Sequence, residues 1–256
     1  MSLNDTNNMD IGIVLLPNKE CKAFALNMMK EAADKLHGLV ELPNNPHITM
    51  IHIANQNPQD VLALQKEFEQ FYSKVTLKAF NLPIKGIKAT GGNPETGYKW
   101  LDLQFDTPDI LSNLRSQVVK TFCPLHKGVL TRMQDDPSNF TEGTPLKNDI
   151  DQCGVTFSSY LPHITTWYVD LPKENKVNAL EEIASSMHAD NLSCSAEAIA
   201  LVELGRNGNA MRIIEQYPLD KESSNFSWTQ GISVVLTLML IMYLLSNWKR
   251  SWRRGL

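Results

Sequence analysis

The same tetrapeptide, Pro-His-Ile-Thr, occurs twice in this sequence, at Pro46–Thr49 and at Pro162–Thr165. Each copy runs into an apolar segment, Met50–Ile53 after the first and Trp167–Val169 after the second. Side chains at positions i and i+2 of a β-strand leave the same face. Each copy therefore predicts a strand that presents one imidazole and one hydroxyl side by side, and the fold has to accommodate two such strands.

The segments that follow the two copies repeat one order of elements. After the first copy, a helix pattern precedes two strand patterns that end at Phe105. After the second, a helix pattern over Lys173–His188 precedes a hairpin whose turn contains Asn207-Gly208. Residues 46–105 and 162–216 therefore share the order strand, helix, strand, strand. We predict an α+β fold, bilobal and pseudo-two-fold, in which duplicated βαββ units place antiparallel sheets along a central cleft.

The composition supports a folded domain followed by a membrane segment. With 43% hydrophobic and 20% charged residues among 256, the chain is expected to form a packed core. We divide it into a polar N-terminal tail (1–9), a main domain (10–219) with a long polar loop (122–154), a linker (220–227), a transmembrane helix (228–248) and a basic tail (249–256).

The C-terminal segment carries the pattern of a membrane anchor. Residues 223–248 contain no charged side chain, Trp228 and Trp248 bracket the apolar run, and a cluster of Lys and Arg follows. An α-helix between the two tryptophans spans roughly 30 Å, enough to cross a bilayer. The alternative is a C-terminal core or amphipathic helix. Residues 1–10 lack a signal-peptide pattern, so we predict a single-pass tail anchor with a cytosolic domain. Its basic end is similar to tail anchors of the mitochondrial outer membrane.

The cysteines and the net charge indicate which cellular compartment and which binding partners are expected. Cys21, Cys123, Cys153 and Cys194 are scattered without a CxxC or a metal-ligand spacing, so free thiols in a reducing compartment are expected. The net charge of −4 includes the basic C-terminus, so the preceding body is more acidic still. An acidic body argues against binding to long nucleic acid but is compatible with a small phosphate-bearing substrate.

At the two motifs the sequence resembles the 2H phosphoesterase superfamily, which includes 2′-5′ RNA ligase-like proteins and 2′,3′-cyclic nucleotide phosphodiesterases. The resemblance rests on His47-Ile48-Thr49 and His163-Ile164-Thr165, each in an apolar strand, and extends over about residues 10–217, including Gly97–Leu101. It implies an enzyme without a metal or other cofactor, and the loop Phe122–Gly154 departs from the compact members of the superfamily.

The chemistry of the four motif side chains agrees with that implication. The ordinary pKa of histidine is near 6.5, so one ring can act as base and the other as acid near neutral pH. His47 and His163 are the predicted catalytic pair, and their roles stay open. Thr49 and Thr165 are predicted to donate hydrogen bonds to phosphate oxygens.

Other aromatic, histidine and basic side chains are candidates for a place in this site. By strand alternation, Trp167 is expected on the face of His163, as a base-stacking residue or a core tryptophan, whereas His52 is expected on the face opposite His47 and is excluded. Three further histidines and three basic residues are expected in solvent, although the basic ones are alternative phosphate ligands: His37, His126, His188, Lys127, Arg132 and Lys147.

These observations predict a metal-independent phosphodiesterase that acts on a nucleotide or short oligoribonucleotide. The enzyme is expected to be located at a membrane. Candidate bonds are a 2′,3′-cyclic phosphate or a 2′-5′ linkage. The alternatives are 2′-5′ RNA ligation through the same groups and a membrane-tethered nucleotide- or RNA-binding module without turnover. A purely structural adaptor gives no reason for two matched motifs.

Overall fold

Alternating apolar residues in strands and apolar stripes on helices build the fold. The computed structural model describes residues 8–36, 45–93, 97–127, 160–168, 174–205 and 208–220. In chain order the elements are β1 (Met9–Pro17), α1 (Lys19–Leu36), β2 (Ile48–Gln56), α2 (Pro58–Lys74), β3 (Phe80–Asn81), β4 (Ile84–Asn93), β5 (Gly97–Phe105), α3 (Asp109–Phe122) with a 3₁₀ turn (Cys123–Leu125), β6 (His163–Tyr168), α4 (Glu174–Ser186), β7 (Ser195–Leu204) and β8 (Ala210–Pro218).

The strands form two antiparallel sheets. Sheet A has the order β2-β1-β7-β3, and β8 also pairs with β7; sheet B has the order β4-β5-β6. Helices α2 and α3 contact β2 of sheet A, whereas α1 contacts β6 and α4 contacts β4 and β5 of sheet B. The prediction of an α+β fold with antiparallel sheets is therefore confirmed.

The two halves of the chain exchange their hairpins. Strand β2, from the first half, lies in sheet A with β7 and β8 of the second half, while β6 lies in sheet B with β4 and β5 of the first. Each motif strand is followed by a helix and a pair of strands, as predicted, but the motif strand and that pair lie in different sheets. The reason is that period-2 alternation specifies the buried face of a strand but not its partner.

Helix α2 shows how the sequence specifies a helix that packs on sheet A. Asn57 caps its N-terminus and accepts hydrogen bonds from the backbone of Gln59 and Asp60. Its buried residues recur at helical spacing on one stripe: Val61, Leu64, Phe68 and Phe71. This stripe joins the main core, in which Ile11, Ile13 and Leu15 of β1 are fully buried.

Each motif strand contains a β-bulge directly after its threonine. In sheet A, Thr49 pairs with Val14 and Ile51 pairs with Ile13, which leaves Met50 as the extra residue. In sheet B, Thr165 pairs with Asp102 and Trp167 with Leu101, which leaves Thr166 as the extra residue. An extra residue reverses the alternation beyond it. We call the face of each sheet that carries its motif threonine the motif face.

The cysteines that the structure describes are paired, which overturns the prediction of free thiols for them. Cys21 at the start of α1 and Cys194 before β7 form a disulfide, with Cα atoms 5.1 Å apart and both side chains buried. Cys123 is also disulfide-bonded, so no cysteine in the described part of the chain is free. The 173-residue separation of Cys21 and Cys194 gave no local signal, because the pairing of β1 with β7 brings them together.

The predicted membrane segment is not among the described residues. Within the ranges that the structure describes, no helix is both long and apolar enough to cross a membrane. The predicted transmembrane helix (228–248), the basic tail (249–256) and most of the predicted loop (122–154) lie outside those ranges. The described residues belong to a compact unit that ends at Asp220.

Candidate active site

The first motif is held by the β7–β8 hairpin of the other half of the chain. Both the backbone N–H and the side-chain amide of Asn45 donate to the carbonyl oxygen of Ala210, at 3.0 and 3.1 Å. Gly208 in the turn has φ of 78°, a region that favours glycine, and its backbone lies close enough to His47 to act on the pKa of that imidazole. The hairpin thus fixes the segment from which His47 projects.

The two histidines make the same hydrogen bond. Nδ1 of His47 lies 2.7 Å from the carbonyl oxygen of Asn45, and Nδ1 of His163 lies 2.7 Å from the carbonyl oxygen of Leu161. A carbonyl oxygen can only accept, so Nδ1 carries a proton in both rings. Nε2 of each ring is therefore the nitrogen that can accept a proton when the ring is neutral and donate one when it is charged.

Burial holds His47 in its neutral form. Its side chain is 9% exposed, and loss of hydration lowers its pKa from 6.5 to about 4. The backbone hydrogen bond to Asn45 opposes this shift, positive charge on His163 adds to it, and the contact with Gly208 opposes it. His47 is therefore neutral at neutral pH. His163 is therefore near enough for its charge to act on His47.

The second motif includes a carboxylate that the sequence did not reveal as part of a site. Asp102 of β5, only 4% exposed, accepts a hydrogen bond from Thr165 Oγ1 at 2.9 Å through Oδ1, and one from Thr90 Oγ1 through Oδ2. A lone acidic residue at one position of the apolar strand Gly97–Phe105 was the available signal. The Thr165 hydroxyl donates to Asp102 in this structure, and its predicted hydrogen bond to a phosphate oxygen stays a prediction.

Two further side chains, also missed in the sequence, hold the backbone of the first motif. Arg115, 5% exposed, donates through Nε to the carbonyl of the bulge residue Met50 at 3.3 Å. Its guanidinium lies 4.1 Å from the ring centre of Tyr160, and Tyr160 donates its hydroxyl to the carbonyl of Thr49 at 2.9 Å. Burial raises the pKa of Tyr160, so its hydroxyl remains a donor. Since Tyr160 lies two residues before the second motif, its hydrogen bond joins the two motif segments.

The bulges correct two expectations based on strand alternation. Trp167 pairs with Leu101, is 6% exposed and belongs to the main core, so it does not share the face of His163. His52 pairs with Gly12, whose Cβ position would touch Leu204 on the motif face of sheet A. His52 is therefore on the same face as Thr49, and the argument that excluded it was wrong.

The other candidate side chains have different surroundings. Nδ1 of His126 lies 3.2 Å from the backbone nitrogen of Ala54 and 3.3 Å from the carbonyl oxygen of His52, so the ring covers the edge of β2 instead of being solvated. Lys127 pairs with Asp60 at 2.7 Å. His188 is exposed beside a separate groove between β4 and α4, to which neither motif contributes. His37, Arg132 and Lys147 lie outside the described residues.

In the described ranges, no group of three or more His, Cys, Asp or Glu side chains is arranged to hold a metal ion. The arrangement instead offers two imidazole Nε2 atoms and hydroxyls from two strands. Such a set supports proton transfer at both ends of a reacting bond.

Comparison with known proteins finds similar solved structures but no matching family model or curated sequence. No protein-family model matches the chain, and no curated protein sequence matches it. Among solved structures, Escherichia coli LigT complexed with phosphate is similar at 11% identity and a TM-score of 0.43, covering 84% of this chain and 99% of LigT. A Thermus thermophilus protein is similar at 14% identity and a TM-score of 0.48, covering 84% of this chain and 100% of that one. A phosphoesterase is similar at 14% identity and a TM-score of 0.42, covering 83% and 99%.

Proposed function

We propose that this protein is a phosphodiesterase that cleaves a nucleotide phosphoester by acid–base catalysis, without a metal ion. The observation that carries the proposal is the matched pair of histidines. Each ring has Nδ1 at 2.7 Å from a backbone carbonyl and so leaves Nε2 for chemistry, and burial keeps one of the two neutral. The substrate class is a 2′,3′-cyclic phosphate, a 2′-5′ linkage or a related small phosphodiester.

The surroundings of the histidines support an assignment of their roles. His47 is neutral at neutral pH and takes a proton through Nε2 from the attacking water or ribose hydroxyl. His163, on the partly exposed start of β6, gives a proton through Nε2 to the departing oxygen. Thr49 donates a hydrogen bond to a non-bridging phosphate oxygen, where negative charge is concentrated during the reaction.

Replacement of either histidine tests the proposal. We expect His47→Ala and His163→Ala each to lower kcat by roughly 10²–10⁴-fold, because each removes one proton transfer. The matched control is His188→Ala, since His188 is an exposed histidine beside a groove to which neither motif contributes. The substrates are adenosine 2′,3′-cyclic phosphate and 2′-5′ oligoadenylate, assayed with and without EDTA.

The outcomes separate catalysis from binding alone. Undiminished turnover in the double variant His47→Ala/His163→Ala rules out the proposed roles, and loss of activity in EDTA rules out a metal-independent reaction. LigT has been crystallised with phosphate and with 3′-AMP, and these are suitable probes for binding to this chain. Tight binding of such product-like ligands without conversion of any substrate identifies a binding module instead of an enzyme.

A further inference from the structure

A glutamine lies beside the histidine of the second motif, on the motif face of sheet B. Gln104 of β5 pairs with His163 of β6, two residues along from the pairing of Asp102 with Thr165. The Cβ atoms of directly opposed residues in an antiparallel pair are about 4.5–5.5 Å apart. The amide of Gln104 and the imidazole of His163 are therefore neighbours on one face.

The amide of Gln104 is available to a ligand. Gln104 is partly buried, and its side chain has no hydrogen-bond partner among the residues that the structure describes. On the side away from His163 it faces Gly86 of β4, where an added Cβ atom would meet only the end of the Lys88 side chain, at 4.0 Å. A glutamine amide supplies two N–H donors and an acceptor oxygen. It can therefore meet a group that is bound in front of His163.

The first motif has no such amide beside it. At the start of β2, Ile48 pairs with Leu15 and Thr49 pairs with Val14, so these β1 partners carry no hydrogen-bonding side chain. The amide thus belongs to the half of the chain whose histidine is assigned as the acid, which is the side of the departing oxygen.

We propose that Gln104 is a catalytic residue that donates a hydrogen bond to the departing oxygen. When the P–O bond breaks, its electron pair stays on that oxygen, which receives a proton from Nε2 of His163. The attacking hydroxyl forms the new P–O bond and gives its proton to Nε2 of His47. The Gln104 amide holds the departing oxygen next to His163 and stabilises the negative charge that develops there. This inference rests on the proposed function and deepens it.

Two esters that differ only in their leaving group test this role. The departing oxygen of 2′-5′ diadenylate is an alkoxide that needs a proton, whereas the 4-nitrophenyl ester of adenosine 2′-phosphate releases a stable anion that needs none. The variant Gln104→Met keeps the length of the side chain but has no N–H. We expect it to lower kcat for the diadenylate roughly 10²-fold and kcat for the nitrophenyl ester less than about threefold.

The two histidines and a second glutamine supply the controls. His163→Ala should also spare the nitrophenyl ester, because it acts on the same oxygen, whereas His47→Ala should impair cleavage of both esters. Gln117→Met is the matched substitution at an exposed position of α3 and should leave both rates unchanged. Turnover of the nitrophenyl ester by Gln104→Met shows in the same assay that this variant is folded.

Two results overturn the inference while the proposed function stands. One is a Gln104→Met variant that cleaves the diadenylate as fast as the wild-type protein, and the other is an equal loss of activity on both esters. If the wild-type protein cleaves neither ester, the proposed function fails and the role of Gln104 fails with it.

Discussion

A single buried imidazole links the stability of this protein to the chemistry of its site. The sequence identified His47 through its motif, but not its ionisation, because the pKa of a histidine depends on the hydration that burial removes. The sequence likewise did not reveal the hydrogen bond between Asp102 and Thr165. The sequence placed a hydroxyl on the correct strand, whereas the acceptor that takes its proton comes from the neighbouring strand β5.

Acidification should destabilise the protein through His47. An unfolded histidine takes up a proton near pH 6.5, whereas folded His47 does so only near pH 4. Between these values the unfolded state binds more protons, so stability falls as pH is lowered. We expect the fall in unfolding free energy between pH 7 and pH 4.5 to be about 2 kcal/mol smaller in His47→Gln than in the wild-type protein. Urea denaturation at both pH values measures this.

The exposed His188 provides the control for that experiment. His188→Gln replaces a histidine on the surface, away from both motifs, and should show the pH dependence of the wild-type protein. An identical pH dependence in His47→Gln and the wild-type protein contradicts a buried, neutral His47.

At the scale of the elements, local periodicity predicted where strands and helices lie but not where strands bulge. Alternation correctly placed His163 and Thr165 on one face, since they pair with Gln104 and Asp102, and it failed at Trp167. A bulge depends on which distant groups satisfy the freed backbone. At Met50 that group is Arg115, 65 residues away in sequence. Such partners are visible only once the fold is formed.

Loss of the Tyr160 hydroxyl should impair catalysis more than stability. Tyr160→Phe removes the hydrogen bond to the Thr49 carbonyl, so the first motif is less firmly positioned. We expect kcat/KM to fall by roughly tenfold and the unfolding free energy by about 1 kcal/mol. Tyr72→Phe is the matched control, because the Tyr72 hydroxyl also donates to a backbone carbonyl, that of Pro218, at 2.9 Å. Equal activity in the two variants indicates that Tyr160 has no positioning role.

At the scale of the whole molecule, the disulfide between Cys21 and Cys194 joins segments that sequence reasoning treated as unrelated. It fastens the start of α1 to the start of β7. Structural disulfides are typical of oxidising compartments. The expectation of free thiols, which had supported a cytosolic location, therefore no longer supports it.

Removal of this disulfide should lower stability without touching the motifs. We expect Cys21→Ala/Cys194→Ala to reduce the unfolding free energy by about 3 kcal/mol, since the unfolded chain loses a long closed loop. Urea denaturation with and without dithiothreitol measures the effect. Reductant should destabilise the wild-type protein more than the variant, which keeps only the disulfide of Cys123. A wild-type protein indifferent to reductant contradicts the pairing.

Because the two halves of the chain exchange hairpins, some strands are synthesised long before the strands with which they pair. During synthesis β1 emerges early, yet its partner β7 is made only near the end of the domain, as Asp10 pairs with Leu204. The first motif is likewise held by Ala210. Contacts between such distant positions slow folding. A ribosome-bound chain that stops before β7 can pair β1 with β2 only, and it lacks the hairpin that holds the first motif, so the candidate site forms only after β7 and β8 have been translated.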